Sequence, residues 1–322
     1  MTPMSRALLF LSVLLAFILL PLFLENPYYL HLLILVAMNA ALAMSFILIF
    51  RTGLITIAIA AFWGIGAYSS ALLTMRLGIP VWVSFPLSAA ISAAVAWAVG
   101  MVIVKKGGFN FVILSLVFSF IVVLLFSTFK FFGGHVGIFN IPRPEDINLP
   151  FLGPLRFTSK APYYYLMLLF ILLVILSYRA MYSSWLGRAW RAVGLSPSLA
   201  ESIGIDVFKY RLLAFIVGSC TCGLMGSFFA HYYRALAPAT FDPFKSLYVH
   251  LYALLGGIDS AFLGPIVGSA ILILVPEGLR IAKEVEPVLT GILLVLLAIF
   301  LPGGIMGSIR AMFKRVPRPK RK

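Results

Sequence analysis

The sequence predicts an all-α polytopic membrane protein of about ten spanning helices, and two observations predict it. Of 322 residues, 62% are hydrophobic and only 11% charged, with a mean hydropathy of +1.07, more apolar surface than a soluble chain of this length hides from water. The apolar residues also come in long unbroken runs. A hydrocarbon core of roughly 30 Å takes about 20 such residues per helix. The runs lack the alternation of a barrel strand, so helices are the way to satisfy the backbone in lipid.

In order, the runs place spans at 7–24, 30–50, 54–75, 79–104, 111–132 and 162–180, then 211–233, 245–258, 262–279 and 286–302. The eighth is short, contains His250 and ends in Gly256 and Gly257, so it reads either as a tilted span or as part of a re-entrant hairpin. Ten spans put both termini on one side. Of the 25 Lys and Arg residues, sixteen then share that side and nine the other, which marks it as cytoplasmic. The chain reads as one transmembrane domain over 1–309 with a basic cytoplasmic tail at 310–322. The first run continues past a cleavable length without a small-x-small site, as a retained span does.

Several function classes drop out. A net charge of +15 is spread over short loops and the tail, with no soluble domain to form a nucleic-acid groove. The tail suits contact with anionic lipid heads. Cys220 and Cys222, two apart on one helix, point roughly 200° from each other and cannot chelate one metal. His31, His135, His231 and His250 show no ligand spacing, so no metal site is expected. No GxxxxGK[ST] or GxSxG string occurs. The ten carboxylates fall mostly at span ends or in loops, not at the mid-depth a proton relay needs. The chain reads as no enzyme, and uphill transport would draw its energy from another subunit.

One amphipathic island interrupts the apolar sequence, GRAWRAVGLSPSLAESIGID at 187–206. Its first part suits a short basic helix stopped by Gly194. Ser196 or Ser198 can cap a second, with Pro197 at a first helical position and Ser198 to Glu201 in capping-box spacing; Gly204 suits the C-terminal cap. Leu199, Ala200 and Ile203 give it an apolar face fit for a partner's groove. From the residues alone, a surface connector lying on the membrane fits equally well.

The island resembles the cytoplasmic coupling loop of ATP-binding-cassette importer permeases, in GRA at 187–189, Arg191-Ala192, ESIG at 201–204 and DVFKYRLLAF at 206–215. More narrowly, the chain resembles the permease subunits of branched-chain amino-acid importers, the LivM and LivH type. The same order of motifs recurs: GLITI at 53–57, AAFWGIGAY at 60–68, FGGHVGI at 132–138 with Ile141-Pro142, LLGGIDSAFLGP at 254–265 and LPGGI at 301–305. The likeness runs from about residue 30 to 307. Three departures leave the solute open: TIAIAA at 56–61 replaces a serine-leucine-glycine string, no Glu follows Phe118, and Asp259 stands where relatives carry glycine.

The resemblance implies an importer permease bundle with one coupling helix. It implies a second permease chain of like fold, two ATPase subunits holding ATP and magnesium, and an extracytoplasmic solute-binding protein received on the loop at 133–161. This chain would bind no cofactor of its own and would sit in a bacterial inner membrane. Coupling falls to the loop at 181–210, through Gly187, Arg188, Arg191, Ser198, Glu201 and Gly204. Candidate solute-path groups are the polar residues inside spans, Asn39, Ser45, Thr56, Ser115, Ser119, Thr221 and His250, with Gly64, Gly66, Gly256 and Gly257, where small residues let helices approach or break. Ser and Thr can retire a hydroxyl onto the preceding turn; Asn39 and His250 are expected not to. A stand-alone carrier or channel, or a non-transport scaffold, is the competing class.

Overall fold

The computed structural model describes residues 26–149 and 153–278, with Phe17, Leu20, Pro21 and 304–307 besides. The expected last span and the basic tail lie outside the described residues, as does the first span apart from three positions.

The described residues are mostly helical. They form α1 (Pro27–Phe50), α2 (Ile59–Leu77), α3 (Val81–Ile103), α4 (Gly108–Thr128), α5 (Lys160–Ser183), α6 (Trp185–Leu195), α7 (Pro197–Ser202), α8 (Val207–Tyr233), α9 (Phe244–Gly256) and α10 (Leu263–Gly278). Five are long and apolar enough to cross a membrane: α1, α3 with its 3-10 extension Val104–Lys106, α4, α5 and α8. This is a multi-pass membrane protein. Local chemistry sets several starts. Asn26 accepts the Tyr28 amide at 2.9 Å ahead of Pro27, and Asp206 accepts the Lys209 amide at 3.1 Å at the head of α8.

Helix α8 is the hub, packed along α1, α2 and α3. Its Gly223 lies so close to Gly66 of α2 that a Cβ on Gly66 would overlap the Gly223 carbonyl. That approach, with Gly226 seated on the Trp63 carbonyl, fixes the α2 and α8 crossing. Helix α2 carries Tyr68, Ser69, Ser70, Thr74 and Arg76 and is not among the five long apolar helices, yet much of it is buried. Walled in by its neighbours, it has less need of a lipid-compatible surface.

Outside the helices, two small antiparallel sheets organise the loop at 133–161. Strand β1 (Ile138–Phe139) pairs with β4 (Ala235–Leu236), and β2 (Ile147–Leu149) pairs with β3 (Gly153–Leu155). The loop is pinned to the bundle beneath it. Arg234 donates from Nε to the Ile141 carbonyl at 3.0 Å, and His231 Nδ1 lies 2.8 Å from the Pro142 carbonyl.

Two expectations are corrected, and a third, open between two readings, is narrowed. The third span does not begin at 54: residues 54–58 are not helical, and α2 starts at Ile59. The cause is local, because Gly53 turns the chain at φ +78° while the Thr52 hydroxyl closes α1 by donating to the Ile49 carbonyl at 2.7 Å. The fifth span ends at Thr128, where Phe129 turns extended ahead of the 3-10 turn Lys130–Phe132. The short run near 245–258 is a 13-residue helix, α9, too short to cross a bilayer.

Candidate functional site

The non-helical segment at 54–58 leads from the end of α1 back to the bundle interior: Ile59, which follows it, lines the same cavity as Asn39 in the middle of α1. Non-helical backbone at this depth must find partners within the protein. It finds them on three serines. Ser115 Oγ accepts the Ile57 amide at 2.9 Å; Ser119 and Ser246 donate to the Ile57 carbonyl at 3.0 and 2.8 Å; and Ser246 Oγ accepts the Ala60 amide at 3.0 Å. Thr56 Oγ1 accepts the Ala58 amide at 3.1 Å. The expected residues Thr56, Ser115 and Ser119 thus converge on one strand of main chain.

Helix α9 starts at the same height. Its approach runs from β4 through the 3-10 turn Pro238–Phe241, which packs under α2 with the Phe241 ring against Gly64 and 4.9 Å from Trp63. Between α1, the start of α2 and the start of α9 lies a cavity of about 390 Å³. Asn39, Trp63, Thr240, Lys245, Tyr248 and Tyr252 give it its polar and aromatic groups, and Leu42, Ile59 and Val249 its apolar wall. Of the expected path residues, Asn39 alone lines it. Lys245, Trp63 and the tyrosines were not anticipated; the available signal was a lysine opening an otherwise apolar run.

Elsewhere the expected residues have local duties. Asn39 donates to the Leu35 carbonyl at 2.9 Å, and Nδ1 of His250 faces the Ser246 carbonyl, so each retires one polar atom onto the preceding turn, while His250 Nε2 is buried and meets no hydrogen-bond partner among the described residues. Asn39 keeps its carbonyl oxygen to offer. Ser45 bonds the Leu42 carbonyl at 2.6 Å and touches Cys222 Sγ at 3.1 Å; Thr221 bonds the Val217 carbonyl and Tyr178 Oη. Gly256 packs on Gly264, and Gly257 lies against Gly304, so the motifs at 254–265 and 301–305 meet.

The island folds as two helices joined at Ser196. Gly194 does not stop the first: α6 continues to Leu195, and Gly194 is the point where its backbone rests on Arg51, close enough that a Cβ would overlap the Arg51 carbonyl oxygen. Nor does Ser198 form a capping box. The cap is Ser196, whose Oγ accepts the Leu199 amide at 3.4 Å. Helix α7 ends as read, with Gly204 at φ +84° and two closing bonds, Gly204 N to Glu201 O at 2.9 Å and Ile205 N to Ala200 O at 3.0 Å. Gly187 packs on the Tyr182 main chain, and Arg191 Nε donates to the Gly187 carbonyl at 3.3 Å.

Beneath the island, Trp190 is fully buried and donates from Nε1 to the Tyr210 carbonyl at 2.9 Å, while Ala200 packs with Val193 and Val207. The Arg51 guanidinium lies over the Tyr182 ring at 4.3 Å, and Arg211 Nε donates to the Thr52 carbonyl at 3.1 Å. The turn at 51–53 that starts the broken segment is therefore gripped by the island and by α8. The outer face mixes exposed Arg188, Arg191 and Glu201 with apolar side chains, Leu195, Leu199 and Ile203 being 89%, 65% and 68% exposed.

The family model for the branched-chain amino acid transport system / permease component matches residues 28–301. The chain belongs to this permease family. The permease is 29% identical over 281 residues to the high-affinity branched-chain amino acid transport system permease protein LivM of Salmonella typhimurium, and 28% identical over 281 residues to LivM of Escherichia coli. Each alignment covers 82% of this chain and 66% of the relative, so the permease spans slightly less than two thirds of those proteins. It is also 25% identical over 189 residues to the guanosine ABC transporter permease protein NupQ of Bacillus subtilis, 56% of this chain and 59% of that one. No solved structure matches.

Proposed function

We propose that this chain is the transmembrane permease subunit of an ATP-binding-cassette importer for branched-chain amino acids or a related small polar solute. The family match over residues 28–301 carries the reading. Two structural features support it. Helices α1–α5, α8 and α9 contain no Asp or Glu, which leaves a proton-driven carrier without its relay and points to an external energy source. The island offers a compact, well-tied elbow whose exposed Leu195, Leu199 and Ile203 suit a partner's apolar groove.

In this reading two ATPase subunits, which hold the ATP and magnesium, push on α6 and α7 from the cytoplasm. A second permease chain completes the path, and a solute-binding protein docks on the loop at 133–161. Both termini lie in the cytoplasm of a bacterial inner membrane. A rigid displacement of the elbow reaches the solute path by one short route, from Gly194 to the Arg51 carbonyl, around the turn at Gly53 and into residues 54–58. Gly187, Arg188, Arg191, Ser198, Glu201 and Gly204 belong to the elbow.

The test is co-purification followed by reconstitution. The tagged chain brings down a second permease and an ATPase, and the vesicle-borne complex, with its receptor, concentrates labelled leucine only when ATP is supplied. Charge reversal at Arg188 or Glu201, or Gly204→Pro, abolishes uptake while the subunit still inserts. Accumulation by the isolated chain on an ion gradient would overturn the reading.

A further inference from the structure

The cavity between α1, α2 and α9 has a chemistry that selects among solutes. Its groups separate by hydrogen-bonding sign. Lys245 supplies an ammonium, and among the described residues the single ion pair is Lys209 with Asp206, so this ammonium has no carboxylate of its own. Its nearest acidic neighbour in sequence, Asp242, is engaged elsewhere, accepting the Phe244 amide at 2.8 Å at the head of α9. Trp63 supplies a second donor: its indole nitrogen is buried and meets no acceptor within the described residues. An unmet buried N–H is costly in an apolar bundle and is met when a ligand oxygen arrives. The acceptors are the Asn39 Oδ1 left over from its bond to Leu35 and the Thr240 hydroxyl.

We propose that this cavity is a solute half-site for a small carboxylate that also carries an N–H donor, the pattern of an α-amino acid. Lys245 and Trp63 take the carboxylate, Asn39 takes the amine, and Leu42 and Val249 flank the apolar side chain. Lys245 is exposed at this cavity, with its ammonium 5.6 Å from the centre of the Tyr248 ring, and a cation beside mid-span Asn39 is expensive to keep in a membrane unless an anion or a wet path compensates it. A neutral nucleoside or sugar brings that ammonium no counter-charge beyond the Tyr248 ring, so the site discriminates against the solute class named for the guanosine permease relative. The inference rests on the importer reading above, and at 390 Å³ the cavity holds one amino acid with room for water.

The experiment uses membranes holding the complete permease and ATPase complex without its receptor, so that the receptor's own selectivity does not intervene. Labelled leucine is bound and displaced by leucine, leucinamide and guanosine. Leucine competes about tenfold or more better than leucinamide, the scale of one charge-assisted hydrogen bond. Lys245→Met abolishes that preference, Lys245→Arg restores part of it, and Trp63→Phe weakens leucine binding while sparing the preference. A Lys245→Met complex that still prefers leucine over leucinamide overturns the site, as does guanosine displacing leucine as well as leucine itself. Failure of the importer reading looks different: the complete receptor-bearing importer would then show no ATP-dependent leucine uptake at all, whichever residue stands at 245.

Discussion

Ser246 holds Ile57 from the far side of the bundle: its hydroxyl donates to the Ile57 carbonyl at 2.8 Å and accepts the Ala60 amide at 3.0 Å, replacing the turn of helix that residues 54–58 do not form. Ser246→Ala strands the buried Ala60 amide and leaves the Ile57 carbonyl with Ser119 as its remaining side-chain donor. It is expected to cost about 1–3 kcal/mol, the penalty of unmet buried polar groups, and to lower the thermal midpoint of the detergent-purified chain. Because Ser119 shares the same carbonyl at 3.0 Å, the double variant with Ser119→Ala departs from additivity. Additive midpoints would show that the two serines act independently.

At the elbow, Gly194→Ala forces a methyl into the Arg51 carbonyl. Overpacking of this kind costs about 1–3 kcal/mol, and uptake falls further than stability does, because the contact sits on the route from α6 to the broken segment. Gly204→Ala is the control: nothing lies within 4 Å of the new Cβ there, so only the positive φ is strained, at about 1–2 kcal/mol. Thermal melts and vesicle uptake on both variants separate the two effects.

The exposed face of α7 carries the next expectation. Leu199→Asp or Ile203→Asp places a charge on a side chain 65% or 68% exposed. The bundle is untouched and the melt unchanged, while association with an ATPase subunit is lost in co-purification. An ATPase retained by both variants would move the contact elsewhere.

Acid acts on the head of α8. The Lys209 amide and its ammonium, the latter 3.0 Å from the carboxylate, hold the Asp206 carboxyl below the usual carboxylate range. A depressed folded value means the cap contributes above the unfolded value, about pH 4, and is lost as pH falls through the folded one. Amide-exchange protection at the first turn of α8 therefore drops on acidification below that point. Asp206→Asn keeps the cap and removes the pH dependence.

The sequence made the helices legible and left the breaks hidden, for one reason. A span announces itself by apolar length within one window, and both ends of α3 and α5 and the start of α10 fell within about three residues of expectation. The segment LITIA at 54–58 is apolar and continuous with α2, so nothing inside that window signals a break in the helix. Its hydrogen-bond partners stand 58, 62 and 189 residues away. The cavity was half legible: Asn39 stood out as an amide inside a span, whereas Lys245, at the edge of a short run open to two readings, counted only as one of the charges opposite the cytoplasmic side. Gly194 was noticed for the wrong property, as a helix breaker, when its role is close backbone approach.

The seat of α6 on Arg51 is made of main-chain atoms on both sides. Sequence drift among the side chains around it can therefore proceed without disturbing the joint, and an alanine scan of the island would score most positions as tolerant. Such a scan would map the surface that meets other subunits and touch the fulcrum at Gly194 alone, where the added methyl meets the Arg51 carbonyl.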